Sequence, residues 1–148
     1  MEVQQDFKEL CALLNAHDVD YVIVGAYALA FHGAPRYTGD IDILVRRDAK
    51  NAKQVLDSLN EFGFGSLGLN IDDFTSPDKV IQLGISPVRI DILTSITGVS
   101  WDEVKNGRIK GSYGDVTIYY IGQQEFVANK LAIGRKKDLA DIEALGKE

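Results

Sequence analysis

Apolar positions along this chain recur with two different periods. Val3, Phe7, Leu10, Leu13 and Leu14 fall three or four residues apart, which places them on one face of an amphipathic helix over residues 3–16. Tyr21–Val24 is a short β-branched run that predicts a strand. Gly25 breaks it, and Ala26–His32 reads as a short helix closed by Gly33 and Pro35. Ile41–Val45 predicts the next strand, and Ala49–Phe62 a second amphipathic helix with Val55, Leu59 and Phe62 along one side. The stretch GFGSLGLN then reads as a glycine-rich loop. Val80–Ile85 and Val88–Leu93 predict two strands joined around Ser86-Pro87 as a hairpin. Ser100 and Glu103 have the spacing of a capping box at the start of a helix reaching Asn106. One or two strands are expected in residues 108–121. Helices follow at Glu125–Ile133 and Asp138–Leu145, with Gly134 between them. No repeat, low-complexity tract or linker interrupts this order. The pattern therefore predicts one α/β (α+β) domain over residues 1–148, with a small mixed sheet flanked by helices.

Composition narrows the function. The chain has 148 residues, 45% of them hydrophobic, enough for a real core. No apolar run approaches the length of a membrane span. The N-terminal MEVQQDFKEL has no basic stretch followed by an apolar one, so it does not read as a secretory leader. Cys11 is the single cysteine, which excludes an internal disulfide and fits a cytoplasmic setting. The net charge of −6 arises wholly in residues 1–100, which hold 8 Lys/Arg against 14 Asp/Glu. Such a surface repels polyanions, whereas clustered carboxylates suit a divalent cation.

The candidate chemistry begins in GAPRYTGDIDILV. Side chains alternate along a strand, so Asp40, Asp42 and Leu44 share one face while Ile41, Ile43 and Val45 enter the core. The two carboxylates are then about 6.5–7 Å apart, close enough to reach one metal or bracket two. A bare D-x-D is weak evidence: it recurs at Asp18-Val19-Asp20, where it reads as a solvated turn, and the wet face of an edge strand is the plain alternative for Asp40 and Asp42. VRIDILTSI adds Asp91 in the same IDIL context, on one face with Arg89 and Leu93. If the two strands pair, three carboxylates meet as a hard oxygen site for Mg²⁺ or Mn²⁺; otherwise Arg89 and Asp91 form a solvent face. The passage Val24-Gly25-Ala26 from strand to helix can act as a phosphate cradle, or be only a turn. In FVANKLAIGRKKDLADIEAL, Asp138 and Asp141 fit an N-cap and a third-position carboxylate. Lys130 and the run Arg135–Lys137 are either solvated or meet phosphate. His32 reads as a structural or rim residue.

Taken together these motifs resemble the DNA-polymerase-β-like nucleotidyltransferase superfamily: strand, glycine and small residue (Gly25-Ala26), short helix, Arg36, then Thr38-x-Asp40-x-Asp42, with Asp91 on a later strand. The tail Lys130 followed by Lys137, Asp138 and Asp141 resembles the toxin-like branch found in abortive-infection type toxin–antitoxin systems and its uncharacterised bacterial relatives. The resemblance implies a nucleotidyltransferase fold. It also implies an enzyme that moves a nucleoside monophosphate from a nucleoside triphosphate to an acceptor hydroxyl, releasing pyrophosphate. Asp40, Asp42 and Asp91 would hold Mg²⁺ or Mn²⁺, with Asp91 also the general base. Gly25, Ala26, Arg36, Thr38, Lys130, Lys137 and Asp138 would bind the nucleotide. The acceptor would be a tRNA, a protein or a small molecule, and an antitoxin would be a partner. Ala26 stands where many active relatives carry Ser and offers only its backbone N–H. The rival reading is a non-catalytic nucleotide- or partner-binding protein on the same fold. A stand-alone aminoglycoside-type nucleotidyltransferase ranks third.

Overall fold

The computed structural model describes residues 3–35, 39–85 and 88–146. In chain order its helices are α1 (Gln5–Ala16), α2 (Gly25–Phe31), α3 (Ala49–Leu59), α4 (Trp101–Gly107), α5 (Gln123–Ile133) and α6 (Lys136–Ala144). Its strands are β1 (Tyr21–Val24), β2 (Asp40–Val45), β3 (Val80–Ile85), β4 (Val88–Leu93), β5 (Ile109–Tyr113) and β6 (Val116–Tyr120). They form one mixed sheet in the order β3-β4-β2-β1-β6-β5. The central strand β1 is buried at every residue, as its unbroken apolar sequence requires. It runs antiparallel to β2 and parallel to β6, while β2 runs parallel to β4. Antiparallel partners β3 and β5 close the two edges. Within edge strand β3, Gly84 takes a positive φ of 79°. Among the described residues no helix is long and apolar enough to cross a membrane.

The expected elements form with shifted ends. The capping box at α4 is present: the Glu103 N–H donates to Ser100 Oγ at 3.2 Å, and the Ser100 N–H to Glu103 Oε1 at 3.0 Å. The second amphipathic helix stops at Leu59 rather than Phe62, because Gly63 leaves helical geometry at φ 121°. The stretch read as a loop holds a short helical turn at Gly65–Leu67, and a second turn follows it at Ile71–Phe74. The last helix starts two residues early, at Lys136. The turn expected at Ser86-Pro87 lies outside the described residues.

One buried polar side chain joins the start of β1 to the end of β2. Asn51, 3% exposed, accepts from the Asp20 N–H at 2.8 Å and donates to the Asp20 and Arg46 carbonyls at 3.0 and 2.7 Å. Truncation would take this partner from the Asp20 N–H and the Arg46 carbonyl, while the Asp20 carbonyl keeps the Arg46 N–H at 3.1 Å. Asn51→Ala is therefore expected to cost about 2–4 kcal/mol in equilibrium urea unfolding. A loss below about 1 kcal/mol would mean that water replaces the side chain and the clamp is dispensable.

Candidate active site

Parallel pairing of β2 with β4 sets Asp42 directly beside Asp91 and Asp40 beside Arg89. Because side chains alternate, all four project to the same sheet face. The acids line a cleft of about 500 Å³ together with Gly25, Lys130 and Lys137. The Asp42 and Asp91 carboxyl groups adjoin in register, so a proton held on one is placed to be shared with the other. Burial first, then the charge and hydrogen bond of Asp91 and the charge of Asp40, push Asp42 up to about 7, against the opposing pull of Lys130.

Asp40 does not complete a three-carboxylate cage. Its Oδ2 is held by the Arg89 guanidinium at 3.2 Å. Among the described residues no group of three or more His, Cys, Asp or Glu side chains gathers tightly enough to hold a metal. All three expected carboxylates line the same cleft, with Asp42 and Asp91 side by side and Asp40 next to the Arg89 guanidinium. The donor set still fits a hard divalent ion. Asp91 Oδ1 is a buried acceptor with no hydrogen-bond partner, and the proton shared by Asp42 and Asp91 occupies a place a cation can take.

Gly25 serves the acids as well as the turn. Val24 pairs with Asp42 across β1 and β2, so the next residue begins α2 against that carboxylate. Gly25 has φ 69°, and a Cβ built on it would collide with the Asp42 carboxylate. The space at Gly25 therefore admits Asp42, where the sequence had suggested room for phosphate alone. Ala26, 6% exposed, lines the cleft beside it.

The C-terminal helices contribute cations, though not as expected. Lys130 is buried, with its ammonium 3.3 Å from Asp138 Oδ1 and 3.5 Å from Asp141 Oδ2. Asp138 is fully buried and is not the N-cap of α6. That place belongs to Arg135, whose N–H donates to Asp138 Oδ2 at 3.2 Å and whose Nε does so at 2.7 Å. The Arg135 guanidinium, helped by Lys130, holds the Asp138 carboxyl down at about 2. Enclosed between Lys130 and Arg135, Asp138 does not itself line the cleft. Arg135 and the exposed Lys137 both line the cleft. Arg36 and Thr38 lie outside the described residues.

His32 is structural, its Nε2 lying 2.7 Å from the Ile121 carbonyl oxygen. In the second D-x-D, Asp20 binds Arg46 at 3.4 Å and Lys105 at 3.7 Å and does not line this cleft. Two cations beside the acids, Arg89 and Arg135, read from sequence only as a possible solvent face and as one of the run 135–137. The same period-two count that places Asp91 on the acid face also places Arg89 there.

The sequence matches, over residues 1–146, a family described as nucleotidyltransferase of unknown function (DUF6036). No curated protein matches it. Among solved structures, a Thermotoga maritima protein assigned as a nucleotidyltransferase is 17% identical with a TM-score of 0.67, covering 94% of this chain and 89% of its own. The lincosamide antibiotic adenylyltransferase LnuA, solved with lincomycin bound, is 18% identical with a TM-score of 0.59, covering 97% and 96%. An antigenic nucleotidyltransferase-like protein from Paracoccidioides brasiliensis is 15% identical with a TM-score of 0.54, covering 97% and 75%. At these identities the likeness is one of fold.

Two outcomes follow from the Gly25–Asp42–Asp91 geometry. Gly25→Ala is expected to destabilise the protein by about 1–3 kcal/mol, through its positive φ and its collision with Asp42. In an Asp42→Ala background that cost should shrink by about 1 kcal/mol; a thermal-unfolding cycle showing strict additivity would separate the two residues. The second outcome concerns pH. Asp42 holds its proton more tightly folded than unfolded, so its contribution to stability is full below about 4 and is lost as pH rises to about 7. With chelator present, wild type should lose roughly 2 kcal/mol relative to Asp42→Asn between pH 4 and 8. Parallel stability curves for the two proteins would contradict the shared proton.

Proposed function

Since the chain belongs to the DUF6036 nucleotidyltransferases, we propose that it transfers a nucleoside monophosphate from a nucleoside triphosphate to an acceptor hydroxyl, using the cleft between β2, β4 and α5. The observation that carries this reading is the in-register Asp42–Asp91 carboxyl pair at that cleft, Asp91 buried and Asp42 half-buried. Asp42 and Asp91 would hold Mg²⁺ or Mn²⁺, and Asp40 would join them on leaving Arg89. Such an ion, when bound, neutralises the triphosphate and stabilises charge developing at the α-phosphate.

The remaining work falls to the chain itself. Asp91 Oδ1, a buried oxygen with no hydrogen-bond donor, accepts the proton of the acceptor hydroxyl. The hydroxyl oxygen bonds to the α-phosphorus, the bridging bond to the β-phosphate breaks, and pyrophosphate leaves with the electron pair. Arg135 and Lys137 meet the departing phosphates from the cleft wall, and Lys130 supplies a charge fixed in place by Asp138 and Asp141. Gly25 and Ala26 let the phosphates approach the backbone, and Arg36 and Thr38 complete the nucleotide contacts.

The tail motif supports a toxin–antitoxin setting, with an antitoxin as partner. The fold likeness over nearly the full length of LnuA, an adenylyltransferase solved with lincomycin bound, supports a small-molecule acceptor.

The test is transfer of α-³²P label from each of four nucleoside triphosphates, with Mg²⁺ or Mn²⁺, to tRNA, protein and small-molecule hydroxyls. Label should move to one acceptor class, with pyrophosphate released in equal amount. Asp42→Asn and Asp91→Asn should each lower the rate at least about 100-fold. Full activity in folded Asp91→Asn would remove the base from this site.

A further inference from the structure

The acid face carries its own cation. Arg89 stands two residues before Asp91 on β4 and in register with Asp40 on β2, so its guanidinium lies among the carboxylates. One terminal nitrogen is 3.2 Å from Asp40 Oδ2. Its Nε is 3.8 Å from Asp91 Oδ1, beyond hydrogen-bond reach. Both of those atoms are buried, and neither has a hydrogen-bond partner. A donor and an acceptor thus face each other out of water without making a bond, an arrangement that costs the desolvation of both. The guanidinium fork that seats so well on a carboxylate or a phosphate is seated here on neither acid. Electrostatic attraction holds Arg89 in place, and the bonding geometry that would lock it there is missing. By contrast, Asp138 and Lys130 satisfy each other directly at 3.3 Å.

We propose that Arg89 is a displaceable counter-ion of the acid centre, competing with a divalent metal for Asp40 and Asp91 and thereby setting the metal affinity. The inference rests on the proposed function and adds a residue to it. A metal held by Asp40 and Asp91 takes the place of the guanidinium beside both acids, so metal entry and the release of Arg89 are coupled. The released guanidinium, 38% exposed at its side chain, then has both arms of its fork open to water or to a phosphate oxygen within its reach.

The experiment measures Mn²⁺ alone, without nucleotide, by electron paramagnetic resonance of the free ion. Folding of each variant is verified by circular dichroism. Arg89→Gln should bind Mn²⁺ about tenfold more tightly than wild type, and Arg89→Lys, which keeps the charge, should stay near wild type. Arg135→Gln removes a cation from the same cleft and serves as the charge-matched control; it should tighten binding by less than about threefold. In wild type the ¹⁵N–¹H signal of the Arg89 Nε, identified by its loss in Arg89→Gln or Arg89→Lys, should shift during Mg²⁺ titration with the midpoint of metal binding. Unchanged or weaker Mn²⁺ binding in Arg89→Gln overturns the proposal, as does equal tightening in Arg135→Gln or an Arg89 signal indifferent to Mg²⁺. If Asp42→Asn binds Mn²⁺ as wild type does, or no protein binds it, the acid centre itself is misassigned and the counter-ion falls with it. Loss of binding in Asp42→Asn without tightening in Arg89→Gln removes the counter-ion alone.

Discussion

Two carboxyl groups held side by side in a poorly hydrated cleft form the constraint around which this molecule is arranged. Parallel pairing of β2 with β4 puts Asp42 and Asp91 in register, and two like charges so placed must share a proton or a cation. The neighbouring choices follow. The residue next to the β1 partner of Asp42 has no side chain, because any Cβ there would strike the carboxylate. An arginine reaches in from the register position beside Asp40. The sheet supplies the rigidity, since Ile41, Ile43, Ile90 and Ile92 on the opposite face are almost wholly buried.

The two groups of buried charge in the protein differ in kind. Around Lys130, every charge has a close opposite partner: Asp138 and Asp141 enclose the ammonium, and Arg135 closes over Asp138 from outside. A buried network balanced in this way contributes little net stability but fixes how α5 and α6 sit against each other. At the acid centre, by contrast, Arg89 Nε and Asp91 Oδ1 are buried without a hydrogen-bond partner, 3.8 Å apart. Imbalance of that sort, set in a cleft, marks a place built to receive something charged.

Much of this was legible in the sequence because strands obey a simple alternation. The period of two assigned faces to Asp40, Asp42 and Asp91, and the repeated IDIL context pointed to their pairing. The same rule would have placed Arg89 among them, had a positive residue two before Asp91 been weighed as part of the site rather than as a sign of solvent. Asp138 was harder. A carboxylate three residues after Arg135 can cap a helix from outside or from within it, and only packing decides which. Asp40 was harder still: strand phase fixes which face a side chain leaves from but not which neighbour captures it. The glycine-rich stretch after α3 carries no periodic signal, and its short turns depend on contacts with the rest of the fold.

The edge of the sheet beside the cleft has a consequence for how copies of this protein meet. Strand β3 is an outer strand, and such an edge ordinarily invites another chain to extend the sheet. Gly84, opposite Arg89, turns the backbone to a positive φ within that strand and spoils the straight row of donors and acceptors that an incoming strand needs. A single residue without a side chain thus lets the acid centre stand one strand away from an open border while discouraging self-association through it.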